Sequence, residues 1–201
     1  MQETDLPADD AAEHTAHPAS KVLRDWILVV AIALGAAFMV RVYVLQQFYI
    51  SGPSMESTLF QNNRVLVNKL SYRIHGIRRG DVVVFDRVTS SDGVVAHDDL
   101  IKRVIGVAGD TVEIKQCDVY VNDRKIVEPY LDPTDLAQTN PVDRCRVVDM
   151  TRQSVPEHQV FVMGDNRPES FDSRSFGTVP TNLVIGRAFA VVWPLGSIKG
   201  L

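Results

Sequence analysis

A serine in a tight turn and a lysine inside an apolar run are the two residues of this chain best placed for nucleophilic chemistry. Ser54 lies in Ile50-Ser51-Gly52-Pro53-Ser54-Met55-Glu56-Ser57-Thr58-Leu59, where a Gly-Pro turn presents a hydroxyl among the apolar Ile50, Met55 and Leu59. Lys102 lies in Asp99-Leu100-Ile101-Lys102-Arg103-Val104-Ile105. A serine nucleophile can work with a lysine base in peptide hydrolysis, provided burial lowers the pKa of the amine toward neutrality. If that run is a strand, Lys102 and Arg103 point to opposite sides. Each feature alone has a plainer use. Serines in turns are common, and a lysine among aliphatic residues more often guards the edge of a sheet.

Other chemistries find less support. His14 and His17 sit near the N-terminus, and His75, His97 and His158 lie beside no nucleophile or paired ligand. No HExxH, phosphate loop or GxGxxG occurs, which removes the usual signatures of zinc peptidases and nucleotide enzymes. Cys117 and Cys145 lack CxxC spacing and a histidine partner set, so a metal site is not expected. They are either a disulfide, if this part of the chain meets an oxidising compartment, or two free thiols.

The elements that must position these residues can be read from composition and periodicity. The 201 residues are 45% hydrophobic and 23% charged with net charge −4, a balance that argues against nucleic-acid binding. Residues 1–20 contain Glu3, Asp5, Asp9, Asp10 and Glu13 but no Lys or Arg, and read as a disordered acidic tail. From Trp26 to Val40 the chain is uncharged and apolar. That run falls short of the roughly 20 residues needed to cross a bilayer, but a helix over 21–45 that includes Arg41 reaches spanning length. Trp26 and Tyr43 would serve as interfacial anchors, and the bulky residues after Val40 do not resemble a cleavage site.

Beyond residue 45 the pattern becomes β. Apolar runs rich in Val, Ile and Phe recur at 64–68, 81–85, 100–107, 111–114, 118–121, 159–163 and 183–193. Arg79-Gly80-Asp81, Ser91-Asp92-Gly93, Ala108-Gly109-Asp110 and Asn122-Asp123 supply turns between them, the last of these inside a hairpin. Residues 128–158, broken by Pro129, Pro133, Pro141 and Pro156, read as an irregular excursion.

Taken in order, four segments resemble the sequence boxes of bacterial and mitochondrial inner-membrane type I signal peptidases. They are Ser54-Met55-Glu56-Ser57-Thr58-Leu59; Arg79-Gly80-Asp81-Val82-Val83-Val84-Phe85; Lys102-Arg103-Val104-Ile105-Gly106 through Gly109-Asp110; and Gly164-Asp165-Asn166-Arg167 through Asp172-Ser173-Arg174 to Gly177. The resemblance implies a mainly β, signal-peptidase/LexA-like antiparallel fold with one N-terminal transmembrane helix, and a catalytic domain over 46–201 outside the cytoplasm. It implies Ser54 as nucleophile and Lys102 as general base, without metal or organic cofactor. Ser170 would hydrogen-bond the lysine amine, and Asp172 and Arg174 would hold the loop that presents Ser170.

The same resemblance implies cleavage after small residues at −3 and −1 of a signal peptide. Substrate pockets would come from Phe48, Ile50, Met55, Leu59, Leu100 and Ile101, unless some of these are plain core. Precursor proteins, the lipid bilayer and a nearby secretion translocon are the implied partners. The implied location is the cell membrane, crossed once with the N-terminus in the cytoplasm. Two positions depart from the family pattern. Gly52 stands where many bacterial members place a serine that helps bind the oxyanion, and Ser57 stands where proline is usual, which suggests a looser turn. A self-cleaving LexA-like repressor and a tethered, non-enzymatic β module are the competing readings.

Overall fold

A computed structural model describes residues 19–91 and 94–201; the acidic tail over 1–18 and the tip at Asp92-Gly93 lie outside it. The chain divides into two units, residues 1–40 and 41–201. The first contains most of helix α1, Ala19–Tyr43. Within it, Lys21–Arg41 has a mean hydropathy of 2.0 and buries none of its side chains. At 1.5 Å per residue this stretch is long enough to cross a hydrocarbon core about 30 Å thick. The helix ends earlier than the expected boundary at 45. Leu45 instead opens strand β1, Leu45–Tyr49, which pairs along its length with β2, Arg64–Asn68.

The second unit is built from antiparallel strands. After β2 come the short helix α2 (Ser71–Ile74), the long strands β3 (Val82–Ser91) and β4 (Val94–Val107), then β5 (Thr111–Lys115), β6 (Asp118–Val121) and β7 (Arg124–Lys125). Helices α3 (Pro133–Leu136) and α4 (Pro141–Cys145) and strand β8 (Met150–Ser154) follow. The chain closes with β9 (Gln159–Met163), α5 (Ser173–Phe176), β10 (Val179–Pro180), β11 (Val184–Trp193) and β12 (Lys199–Gly200). The larger sheet runs β1-β2-β11-β3-β4-β9-β10 with β12 added to β11, and the smaller runs β7-β6-β5-β8.

Side-chain alternation explains how these sheets bury themselves. On β3, Val82 and Val84 enter a cluster with Met55, Leu59, Val65 and Val67, while Val83 and Phe85 enter another with Val104, Val160 and Val162. On β9, Val160 and Val162 join that second cluster, and Phe161 and Met163 turn to a third with Val112 and Ile114. Successive residues of a strand face opposite sides, so a strand buried on both faces reads as a continuous apolar run. Asn122 and Asp123 take φ values of 53° and 64°, the two left-handed positions of a tight hairpin between β6 and β7.

Residues 128–158 are more ordered than their prolines suggest. Pro133 and Pro141 begin α3 and α4, where a missing N–H costs nothing, and Asp132 and Asn140 cap them by accepting from Thr134 N and Val142 N. Strand β8 forms here because β5 offers it a partner edge, although its own residues, Met-Thr-Arg-Gln-Ser, carry little β pattern. Cys117 and Cys145 are bonded to one another, with Cα atoms 5.6 Å apart, fastening α4 beside the β5–β6 turn.

One close backbone approach controls the join between β2, β11 and β3. Gly186 sits at a bulge in β11, and a Cβ there would come within 2.5 Å of the Asn68 carbonyl oxygen. Gly186→Ala is expected to lower stability by about 1–3 kcal/mol, the usual range for overpacking. The check is the midpoint of denaturant unfolding monitored by the fluorescence of the two tryptophans.

Candidate active site

Strand β4 lies between β3 and β9, so Lys102 occupies an interior strand and is no edge guard. In register Lys102 opposes Val83 and Arg103 opposes Val82, which sends the two cations to opposite faces as the alternation requires. Lys102 is 3% exposed. Its amine, when charged, donates to Ser54 Oγ at 2.7 Å and to the Ile101 carbonyl at 2.9 Å. Burial pushes the Lys102 pKa from its ordinary 10.5 down to about 8, against the pull of the Asp172 and Asp165 carboxylates and with the help of Arg174. Once the amine is neutral the contact reverses, and the Ser54 hydroxyl can donate to the nitrogen lone pair.

Ser54 sits in a single 3-10 turn, Pro53–Met55, whose entry is set by the ring of Pro53. Met55 and Leu59 are wholly buried and root the turn in the core beside Val65, Val67 and Val82. The Ser54 carbonyl accepts from Asn166 N at 3.2 Å, tying the turn to the loop after β9. Gly164 permits this approach. A Cβ at Gly164 would fall on both the Ser54 carbonyl oxygen and Ser170 Oγ, well inside van der Waals contact.

Asp172 and Arg174 form a buried pair, the guanidinium donating to both carboxylate oxygens at 2.8 and 2.7 Å. Burial alone would raise the Asp172 pKa; the bond and charge of Arg174, with the Gly164 N–H at 2.9 Å, hold it below the ordinary carboxylate value. Asp172 also caps α5 through Arg174 N, and Arg174 donates further to the carbonyls of Cys145 and Arg167 at 2.6 and 2.9 Å. Arg103 pairs with Asp165 at 2.8 and 2.7 Å on the other face of β4.

The expected hydrogen bond from Ser170 to the lysine amine is not made. Ser170 lies beside Gly164, is 1% exposed and helps to lower the Asp172 pKa, while the Ile101 carbonyl takes the second proton of the amine. The six apolar residues expected to line pockets divide. Ile50, Met55 and Leu59 are core, whereas Phe48, Leu100 and Ile101 keep part of their surface open. Residues 99–101 pair with β3 on one side only, because β9 begins to pair at Arg103. Sequence reading missed Asn166 and Tyr130 as contacts of the segment around Ser54. Asn166 lies inside a matching box, whereas nothing in the local pattern marks Tyr130.

Comparison with known proteins decides the family of this chain. The family model described as signal peptidase, peptidase S26, matches residues 23–193. This chain belongs to the signal peptidase family. A probable signal peptidase I-2 of Synechocystis sp. is 34% identical over 195 residues, covering 97% of this chain and 81% of that protein. Signal peptidase IB of Staphylococcus aureus strain Mu50 is 34% identical over 195 residues, covering 89% of this chain and 94% of that protein. The crystal structure of a signal peptidase I from Enterococcus faecalis V583 aligns with a TM-score of 0.42 and 30% identity over 55% of this chain and 95% of that one. Signal peptidases are serine endopeptidases that remove signal peptides from precursor proteins, and this chain is one of them.

Filling the space at Gly164 tests whether the turn and the loop are interdependent. Gly164→Ala is expected to displace Ser54 from Lys102 and to reduce precursor cleavage by about 10²-fold, the cost of misplacing a reacting group by roughly an ångström. A cleavage assay alongside an unfolding midpoint separates this loss from simple unfolding.

Proposed function

We propose that Ser54 and Lys102 are the catalytic dyad of this signal peptidase. The observation that carries this reading is the 2.7 Å contact between a hydroxyl and a buried amine whose pKa is lowered to about 8. The neutral amine takes the Ser54 proton as Oγ attacks the scissile carbonyl carbon. The resulting oxyanion is held by the Ser54 backbone N–H. The ammonium then protonates the leaving amine, which departs as the new N-terminus of the mature protein. Water, deprotonated by the same neutral amine, hydrolyses the acyl ester and regenerates Ser54. Ser170 acts on the amine rather than the substrate. Its burial beside Gly164, on the loop that meets the Ser54 carbonyl, supports that role.

The substrate strand binds where strand partners are lacking, along 99–101 and beside Ile50–Pro53. Phe48, Leu100 and Ile101 bound shallow apolar pockets there, which favours small residues at −3 and −1 of the signal peptide. Helix α1 anchors the protein in the cell membrane, with residues 1–20 in the cytoplasm and 46–201 as the catalytic part outside it, near the translocon. That arrangement brings the enzyme to the precursors that emerge from the membrane.

Ser54→Ala and Lys102→Met are each expected to reduce cleavage of a precursor by more than about 10³-fold without unfolding the protein. Mapping the cut by mass spectrometry should place it after a small residue; undiminished cleavage by either variant would remove the dyad. Wild-type kcat should rise with pH through about 8 as the amine loses its proton. Stability should follow the same group. The unfolded chain keeps this proton up to 10.5 and the folded one only to about 8, so the unfolded state binds more protons between those values and stability increases with pH across that window.

Gly52 gives a second, opposite kind of test. Its backbone is extended, at φ −123° and ψ 159°, and a Cβ there would meet nothing within 4 Å. Gly52→Ser therefore fits without strain and adds a hydroxyl two residues before the nucleophile. If the oxyanion lacks a second donor, kcat should increase, up to about 10²-fold, with little change in KM.

A further inference from the structure

Ser57, three residues beyond the nucleophile, has φ of 81°, a left-handed conformation disfavoured for any residue with a Cβ. Its hydroxyl donates to the Tyr130 carbonyl at 2.6 Å, across 73 residues of sequence. The Tyr130 ring lies 4.0 Å from the guanidinium of Arg103, the strand neighbour of Lys102, and its hydroxyl donates to Glu128 Oε1 at 2.8 Å. The Glu128 carboxylate pairs with Arg167, whose Nε donates to the Gly164 carbonyl at 3.0 Å. The Glu128 and Arg167 side chains are only 9% and 5% exposed, so solvent screens this pair weakly. One short segment therefore touches the turn of Ser54, the residue beside Lys102 and the loop that receives the Ser54 carbonyl.

We infer that Glu128-Pro129-Tyr130 is a positioning element of the catalytic site, holding Ser57 in its left-handed conformation and so aiming the Ser54 hydroxyl at the Lys102 amine. The inference rests on Ser54 and Lys102 being the dyad. Neither Ser57 nor Tyr130 has a hydrogen bond to Lys102 or Ser54 among the described residues, so both act through the turn and neither is catalytic. The looser turn expected where Ser57 replaces proline is not what the geometry shows. Proline, with φ held near −65°, cannot take this conformation at all, and the serine hydroxyl supplies a tether that a proline ring lacks.

A structural brace and a positioning element differ in what their loss changes. Ser57→Gly removes the hydroxyl while relieving the backbone strain, so the variant should fold with an unfolding midpoint at or above that of the wild type. In the full chain in detergent, acting on a precursor, its kcat should fall by about 10-fold with KM within about twofold. The rise of kcat near pH 8 should stay in place, because Lys102 remains buried. Tyr130→Phe, which keeps the ring over Arg103 but frees Glu128, should lower kcat less. The double variant should lose less than the product of the single losses, because both changes cut one linkage. Wild-type kcat in Ser57→Gly, a loss that only follows the unfolded fraction, or full multiplicativity in the double variant would each overturn the inference. Ser54→Ala run in parallel keeps the two levels apart, since cleavage there would remove the dyad itself.

Discussion

A lysine amine held out of water beside a serine hydroxyl is the constraint around which the rest of this molecule is arranged. Desolvation lowers its pKa, but the same burial brings Asp172 and Asp165 near enough to favour the charged form. Each of these carboxylates is paired with a guanidinium, Asp172 with Arg174 and Asp165 with Arg103. In surroundings of low polarity a bare carboxylate would keep the amine protonated. The two arginine pairs therefore do more than hold loops, since they limit how much negative charge the lysine feels. Removing one partner of such a buried pair typically costs 3–5 kcal/mol, which makes their electrostatic and structural roles inseparable.

The sheet supplies the place in which this can happen. Strand β4 pairs with β3 on one side from Val94 to Arg103, while β9 pairs only from Arg103 onward. At the level of Lys102 the missing strand is replaced by the turn of Ser54 and the loop from Gly164 to Ser170. Those two pieces approach so closely that only a glycine at 164 fits between the Ser54 carbonyl and Ser170. The same interruption leaves residues 99–101 with backbone groups that lack a strand partner. Covering the amine and leaving a free backbone edge at 99–101 are thus two consequences of one short strand.

The departures from the family pattern acquire a physical meaning in this frame. Gly52 has open space where a side chain would point, so the absence of a hydroxyl there is no adaptation to crowding. Ser57 has the reverse character, a strained backbone held by a specific hydrogen bond to a distant segment. Cys145, the end of the disulfide, also reaches the site, because its carbonyl accepts from Arg174. Residues 128–145 thus contact the turn of Ser54 through Tyr130, the segment 164–167 through Glu128, and Arg174 through the Cys145 carbonyl.

The sequence by itself determined the apolar helix, the succession of strands and the choice of Ser54 and Lys102 as the proposed pair. Helical and alternating periodicity are local properties, whereas Ser54 and Lys102 stand out only when the four boxes are read together in order. Strands 64–68, 118–121 and 159–163 could be read to the residue because turn chemistry closes them at both ends. Only the tertiary structure decided what lies beside what. Strand β8 owes its existence to the free edge of β5, and β1 to that of β2, so neither was visible in its own residues. The surroundings of Ser170, the burial of Met55 and Leu59 and the tether from Ser57 to Tyr130 depend on contacts spanning many residues of chain. Such contacts leave no periodic trace, because packing and hydrogen bonding act across space while a sequence pattern records only neighbours along the chain.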